Sequence, residues 1–219
     1  MDNCKINDDI YIASFDIGKI NFAYCIEKTS IADLQSSTSV DDMCLKGSLI
    51  SIDNVRLVSY PKKSPVIRQR GPRKGTSYKP SGRYTFDLLF TFLEERKEQW
   101  NRCHIFVIEQ QMNQNKEGQK ISYHLEAYFK TIYGLFKEVL LFPSYHKTQV
   151  FQDPEEKYKK ISYSKRKKAC IDKATNILQS RDDQTTICKL ERSKKRDDMC
   201  DVICQLQAYK WLKLASKMK

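Results

Sequence analysis

The chain has 219 residues, 39 Lys and Arg against 27 Asp and Glu, a formal net charge of +12, and a composition 40% apolar and 11% aromatic. That is enough apolar material for one core, which argues against disorder, and the cationic excess points to a polyanionic partner, nucleic acid first. No apolar run approaches the roughly 20 residues of a membrane helix, and the opening MDNCKINDDIYI lacks the cationic-then-apolar order of a secretory signal, so membrane and secreted readings are set aside.

Residues 10–17, IYIASFDI, form a β-branched and aromatic run that predicts a strand, and 21–27, NFAYCIE, predict a second after a short turn. The polar stretch 28–47 reads as a loop, and 48–60 as a third strand. Between Val55 and Phe86 there is no acidic residue, whereas Arg56, Lys62, Lys63, Arg68, Arg70, Arg73, Lys74, Lys79 and Arg83 all fall there among prolines and glycines. This is expected to be an exposed basic loop. Few aromatics interrupt it, so Arg68, Arg70, Arg73 and Lys74 are expected to meet DNA phosphates more than bases; the alternative is a solvated linker.

Phe86, Leu89, Phe90 and Leu93 recur at i, i+3, i+4 and i+7, predicting an amphipathic helix over 84–99. HIFVIE, 104–109, predicts a short buried strand. Ile121, Leu125, Tyr128, Phe129, Ile132 and Phe136 give the next helix its apolar stripe, and VLLF, 139–142, predicts a strand stopped by Pro143. A basic helix at about 163–179, a charged loop and a last helix over roughly 196–217, carrying Met199, Val202, Ile203, Leu206 and Tyr209, complete the chain. The pattern is α/β with a mixed sheet, and one domain over 1–219 is expected, with loop insertions at 28–47 and 54–86. Eight scattered cysteines without a CxxC pair predict a reduced intracellular protein without a zinc site, and the three histidines read as ordinary polar residues.

Four acids stand out. Asp16 ends the first strand among apolar neighbours, where a carboxylate is costly unless compensated, although Asp-x-Gly is also ordinary turn chemistry. Glu109 closes HIFVIE, and strand ends are where open α/β sheets place their sites. Asp198 and Asp201, spaced i, i+3, fall on one face of the last helix. The helix dipole explains Asp197 or Asp198 but less well Asp201, a turn further in. Four acids from three elements match an oxygen-ligand site for divalent metal, and two Mg²⁺ ions so held can activate water and stabilise the leaving oxygen of a phosphodiester.

FDIGKINFAYCI, IFVIEQQ, the FPS turn, SYSKRKKA and KRDDMCDVICQ, in that order, resemble the poxvirus-type Holliday junction resolvases, a RuvC-like branch of the ribonuclease H fold. The resemblance runs in pieces from about residue 10 to about 210. It implies a ribonuclease H-like mixed sheet flanked by helices, and a homodimeric, Mg²⁺-dependent endonuclease, with Mn²⁺ as a substitute, that cuts four-way DNA junctions. Asp16, Glu109, Asp198 and Asp201 correspond to the family's metal carboxylates. Lys168 is the best match for its lysine, with Lys165 and Lys167 as alternatives. A lysine there can neutralise charge developing at the phosphate, while Lys165, Arg166 and Lys167 can equally form a face that binds DNA backbone. The resemblance further implies a large cytoplasmic DNA virus, with recombination, repair or replication-linked separation of concatemers in the host cytoplasm as the setting. Two other functions fit the same residues: a ribonuclease H-fold nuclease acting on RNA–DNA hybrids or flaps, and a basic binder whose acids are structural.

Overall fold

The computed structural model describes residues 9–58, 82–152 and 162–215. Two antiparallel strands open it, β1 (Asp9–Asp16) and β2 (Phe22–Ser30), paired so that Phe15 faces Tyr24. The polar stretch expected to be a loop instead holds two short helices, α1 (Ile31–Ser36) and α2 (Val40–Leu45). The serines responsible, Ser30 and Ser39, each accept a hydrogen bond from the backbone N–H three residues on, an N-cap signal read there as loop polarity. β3 (Ser48–Val55) then pairs antiparallel with β2, stopping short of the expected 60. The basic stretch with Arg68, Arg70, Arg73 and Lys74 lies outside the described residues.

The first predicted helix is two pieces, α3 (Gly82–Glu95) and α4 (Lys97–Arg102). β4 (Ile105–Gln110) pairs parallel to β1, α5 (Lys116–Tyr133) follows, and β5 (Glu138–Pro143) pairs parallel to β4. The stripe of α5 buries Ile121, Leu125 and Phe129, but Phe136 lies beyond the helix and is 98% exposed. Gly134, at φ 57°, ends the helix before the periodicity does. After α6 (His146–Gln149) come α7 (Tyr163–Ser180), α8 (Gln184–Arg192) and α9 (Arg196–Tyr209), which runs on as a π-helical segment, Lys210–Ala215. The charged loop expected before the last helix is largely α8, capped by Asp183 and anchored by Leu190.

The sheet order is β3-β2-β1-β4-β5. Its central strand is apolar on both faces because helices cover both. Ala13, Phe15, Phe106 and Ile108 pack under α3, α4 and α5 with Trp100 and Phe129, whereas Ile12, Cys25, Ile105 and Val107 pack under α7, α8 and α9 with Leu178, Val202 and Leu206. Side chains alternate along a strand, so Asp16 and Glu109 share the face that α9 covers. The register supports this: Phe15 is level with Ile108, which sets Asp16 beside Glu109 at the carboxyl ends of two parallel strands. Among the described residues no helix is long and apolar enough to cross a membrane.

At the other end of this face α9 is fixed by charge. Glu27 of β2 is wholly buried, accepting from Lys210 Nζ at 2.6 Å, from Arg181 at 2.8 Å and from Gln207 Nε2 at 2.7 Å. The two cations reach the backbone oxygens of Cys44 and Lys46 at the end of α2. Gly47 follows at φ 109°, where a Cβ would come within 2.6 Å of the Glu27 carboxylate.

Candidate active site

The carboxyl ends of β1 and β4 meet α6, the first turns of α7 and the start of α9 around a cavity of about 260 Å³ lined by Asp16, Glu109, Lys147, Lys167, Asp198 and Asp201, among others. All four acids singled out from the sequence are thus on one wall-and-floor arrangement. The i, i+3 spacing of Asp198 and Asp201 turns both toward the strands, and each acid's side chain keeps only 10–14% of its surface open.

Lys147, from the four-residue helix α6, lies among three of them. Its Nζ is 2.9 Å from Glu109 Oε1, 3.0 Å from Asp201 Oδ2 and 3.6 Å from Asp16 Oδ1. Gln111 Nε2 donates to the other Glu109 oxygen at 2.5 Å, and the Ile17 N–H at 3.5 Å. Burial pushes the Asp16 carboxyl well above the usual range, and the charges of Glu109 and Asp201 add to this against the pull of Lys147. Burial would also raise Glu109, but the Lys147 ammonium and hydrogen bonds from Asp16, Lys147 and Gln111 hold it below its ordinary value. Burial disfavours the Lys147 ammonium, yet the three carboxylates more than offset this and raise its pKa.

Asp198 stands at the other side of the cavity. Asn54 Nδ2 of β3 lies 3.5 Å from one of its oxygens and Lys167 Nζ 3.8 Å from the other, while Lys167 also pairs closely with Asp197. Burial, then the neighbouring Asp197, push the Asp198 carboxyl upward.

As they stand, no three acids, histidines or cysteines among the described residues close on one point tightly enough to hold an ion. The chemistry of the donor set nevertheless fits Mg²⁺ or Mn²⁺: hard carboxylate oxygens, more negative charge than the local lysines balance, and an ammonium already seated where a cation is attracted.

Of the lysines expected from the sequence, Lys167 and its neighbour Arg166 line the cavity; Lys165 and Lys168 are exposed on α7, and Lys168 is not part of the lining. The lysine among the carboxylates is Lys147, which sequence reasoning missed. It sits three residues beyond the FPS turn, on an element too short to carry any periodicity. The available signal was a cation directly after a strand adjacent to that of Glu109.

No family model matches the chain. It is 64% identical to Uncharacterized protein 170L of Invertebrate iridescent virus 6, over 97% of this chain and 94% of that protein. Among solved structures it is similar to the Fowlpox virus resolvase in complex with Holliday junction DNA, with a TM-score of 0.56 and 19% identity over 92% of this chain and 97% of that one. RuvC of Thermus thermophilus gives a TM-score of 0.51 with 12% identity over 91% and 95%. The strand order, the crossing of α9 over the parallel strand ends and these likenesses agree: the chain belongs to the family of that iridescent virus protein and has the ribonuclease H-like fold of the poxvirus and RuvC resolvases.

Proposed function

We propose that this chain is a divalent-metal-dependent endonuclease that cuts four-way DNA junctions by hydrolysing two phosphodiesters. The observation that carries the reading is the convergence of Asp16, Glu109, Asp198 and Asp201, from three separate elements, beside a basic wall of Arg166 and Lys167. The Holliday junction bound to the Fowlpox virus resolvase supports the choice of substrate.

The four carboxylates would hold Mg²⁺, two ions per site, or Mn²⁺ in its place. Bound there, the metal would activate water and stabilise the leaving oxygen. The chain's own side chains do the rest. Lys147 fixes the Glu109 and Asp201 carboxylates relative to Asp16, offsetting the mutual repulsion of three acids on one face. Arg166 and Lys167 present cationic groups at the cavity edge where a phosphate enters, and the exposed Lys165 and Lys168 extend that surface along α7. By position Lys147 and Lys167 are better placed than Lys168 to meet charge on a phosphate in the cavity, and Lys168 is retained as the candidate that the family resemblance supplies.

The whole of 1–219 is proposed to act as one nuclease unit, and as a homodimer, since a two-fold pair presents two sites to two symmetry-related strands. The relative in an invertebrate iridescent virus supports a viral setting, and the proposed role there is genome recombination or separation of concatemers in the cytoplasm of an infected cell. The test is a labelled four-way junction, a linear duplex and an RNA–DNA hybrid, each incubated with the purified chain in Mg²⁺ and in EDTA. Paired, Mg²⁺-dependent nicks confined to the junction are expected. Faster cutting of the hybrid would make it a different ribonuclease H-fold nuclease, and tight binding without cutting in any metal would make its acids structural.

A further inference from the structure

We infer that Gln205 is a positioning residue of the active site: one buried carboxamide sets the placement of α9 against β1 and β4, and thereby the approach of Asp198 and Asp201 to Asp16 and Glu109. The inference rests on the nuclease reading for what is positioned, not for the contact itself.

Gln205 follows Asp201 by one turn on the same side of α9 and is 1% exposed. Its Nε2 lies 3.0 Å from Ser14 Oγ, 3.1 Å from the Phe15 carbonyl oxygen and 3.4 Å from the Val107 carbonyl oxygen. Phe15 immediately precedes Asp16, and Val107 stands two residues before Glu109. A single side chain of α9 therefore bonds to both other elements that supply the four carboxylates, each contact within two residues of an acid and Gln205 itself one turn from Asp201.

Most of the surrounding contacts are apolar and carry little directional preference. From Met199 onward α9 is buried nearly all round, with Val202, Ile203, Leu206 and Ala208 packed on Ile12, Cys25 and Val107. Such a surface tolerates small rotations or slides of the helix better than a hydrogen-bonded one, because methyl groups have no preferred partner, whereas a carboxamide whose donors reach backbone oxygens is directional. A buried polar group that fixes register in an apolar interface is a known device. Other polar contacts hold α9 to β2 and α7: the Cys25 thiol donates to the Val202 carbonyl, the Cys204 thiol to the Cys170 carbonyl, and Gln207 and Lys210, further along, tie the helix to Glu27, whereas Gln205 is the side chain of α9 that bonds to both β1 and β4.

The test uses the full chain with Gln205→Met, which keeps volume and apolar fit, and Gln205→Asn, which keeps the amide but shortens its reach. Mn²⁺ uptake is followed by the electron paramagnetic resonance signal of the free ion, alongside the thermal midpoint, junction affinity without metal and single-turnover cleavage. Both variants are expected to fold and to bind junctions as the wild type does, while Mn²⁺ affinity falls about tenfold or more, the size of effect seen when a ligand's supporting partner is removed. The cleavage rate is expected to fall in step and to recover partly at high metal. A folded variant that binds Mn²⁺ with wild-type affinity would overturn the inference and leave the nuclease reading standing. A wild-type chain that binds Mn²⁺ but cuts no nucleic acid would remove the nuclease reading and leave the Gln205 comparison intact, and a wild-type chain that binds no Mn²⁺ would remove both.

Discussion

Two ionic clusters lie on the α9 face of the sheet, with opposite charge balance. In one, a single lysine, Lys147, stands among Asp16, Glu109 and Asp201; in the other, a single carboxylate, Glu27, stands between Arg181 and Lys210. The Glu27 cluster is closed, its three side chains 0–5% exposed, and its surplus positive charge is taken up by the carbonyls of Cys44 and Lys46 and by Gln207. The Lys147 cluster borders a cavity and keeps surplus negative charge. A closed and satisfied cluster holds structure together, while an open one with surplus negative charge is where the proposed metal would bind.

The largest expected effect breaks the open cluster. Asp16→Asn, Glu109→Gln, Asp198→Asn or Asp201→Asn should each lower single-turnover cleavage by about a thousandfold, roughly 4 kcal/mol of barrier. Junction binding should be unchanged, and the fold no less stable for Asp16→Asn and Asp198→Asn, whose charged forms burial disfavours, while Glu109→Gln, whose ionised form the folded chain favours, should cost some stability. Near wild-type cutting by Asp198→Asn combined with Asp201→Asn would show that these acids hold no metal.

The closed cluster should respond the other way, in stability. Glu27→Gln leaves two buried cations without their counter-charge, and a loss of about 3 kcal/mol in urea unfolding is expected. A loss under about 1 kcal/mol would mean that neighbouring carbonyls alone satisfy Arg181 and Lys210. The same carboxylate sets an acid limit. Burial would raise its pKa, but Lys210 and Arg181 outweigh burial and bring it from 4.5 to about 2. A depressed folded pKa means that the stabilisation is complete above about pH 4.5 and is lost as pH falls toward 2. About 3 kcal/mol is at stake, and unfolding midpoints measured across that window should flatten in Glu27→Gln.

Lys147→Met sharpens the contrast with a smaller effect. Three carboxylates are left facing one another, and about 1–2 kcal/mol of stability should go in EDTA, moderated because burial already favours the protonated form of Asp16. Millimolar Mg²⁺ should restore it through binding to the folded state, as it should not for Glu27→Gln. Equal thermal midpoints for Lys147→Met with and without Mg²⁺ would mean that metal and ammonium do not share the site.

The open cluster was legible in the sequence because Asp16 and Glu109 end apolar runs, where a carboxylate is conspicuous, and Asp201 shares a helix face with Asp198 by its i, i+3 spacing. The closed one was not: Glu27 follows NFAYCI and reads as a strand leaving the core, while its partners lie more than 150 residues away. Lys147 was hidden by a short element, and Gln205 by being one polar residue in a stripe that otherwise spelled core. All five strands of the described residues were readable from their apolar and β-branched runs, yet α1, α2 and α8 were missed, because capped helices of six to nine residues look like polar loops. Tertiary contact, not periodicity, stabilises such helices.

The smallest expected effects concern Lys and Arg residues that belong to neither cluster, and they separate ground-state binding from chemistry. Each Lys or Arg that neutralises a phosphate adds about 0.9 to the slope of log affinity against log salt. Replacing Arg68, Arg70, Arg73 and Lys74 together by Ser should therefore lower that slope by up to about four, and Lys165→Ala or Lys168→Ala by about one each. At low salt and saturating protein, the quadruple variant should cut at the wild-type rate, because the carboxylates, Lys147 and Lys167 are untouched. Lys168→Ala should behave like Lys165→Ala, since both are exposed on α7. A single-turnover rate that falls for Lys168→Ala but not for Lys165→Ala would return the catalytic role to Lys168, and an unchanged salt slope in the quadruple variant would mean that residues 62–83 do not meet DNA.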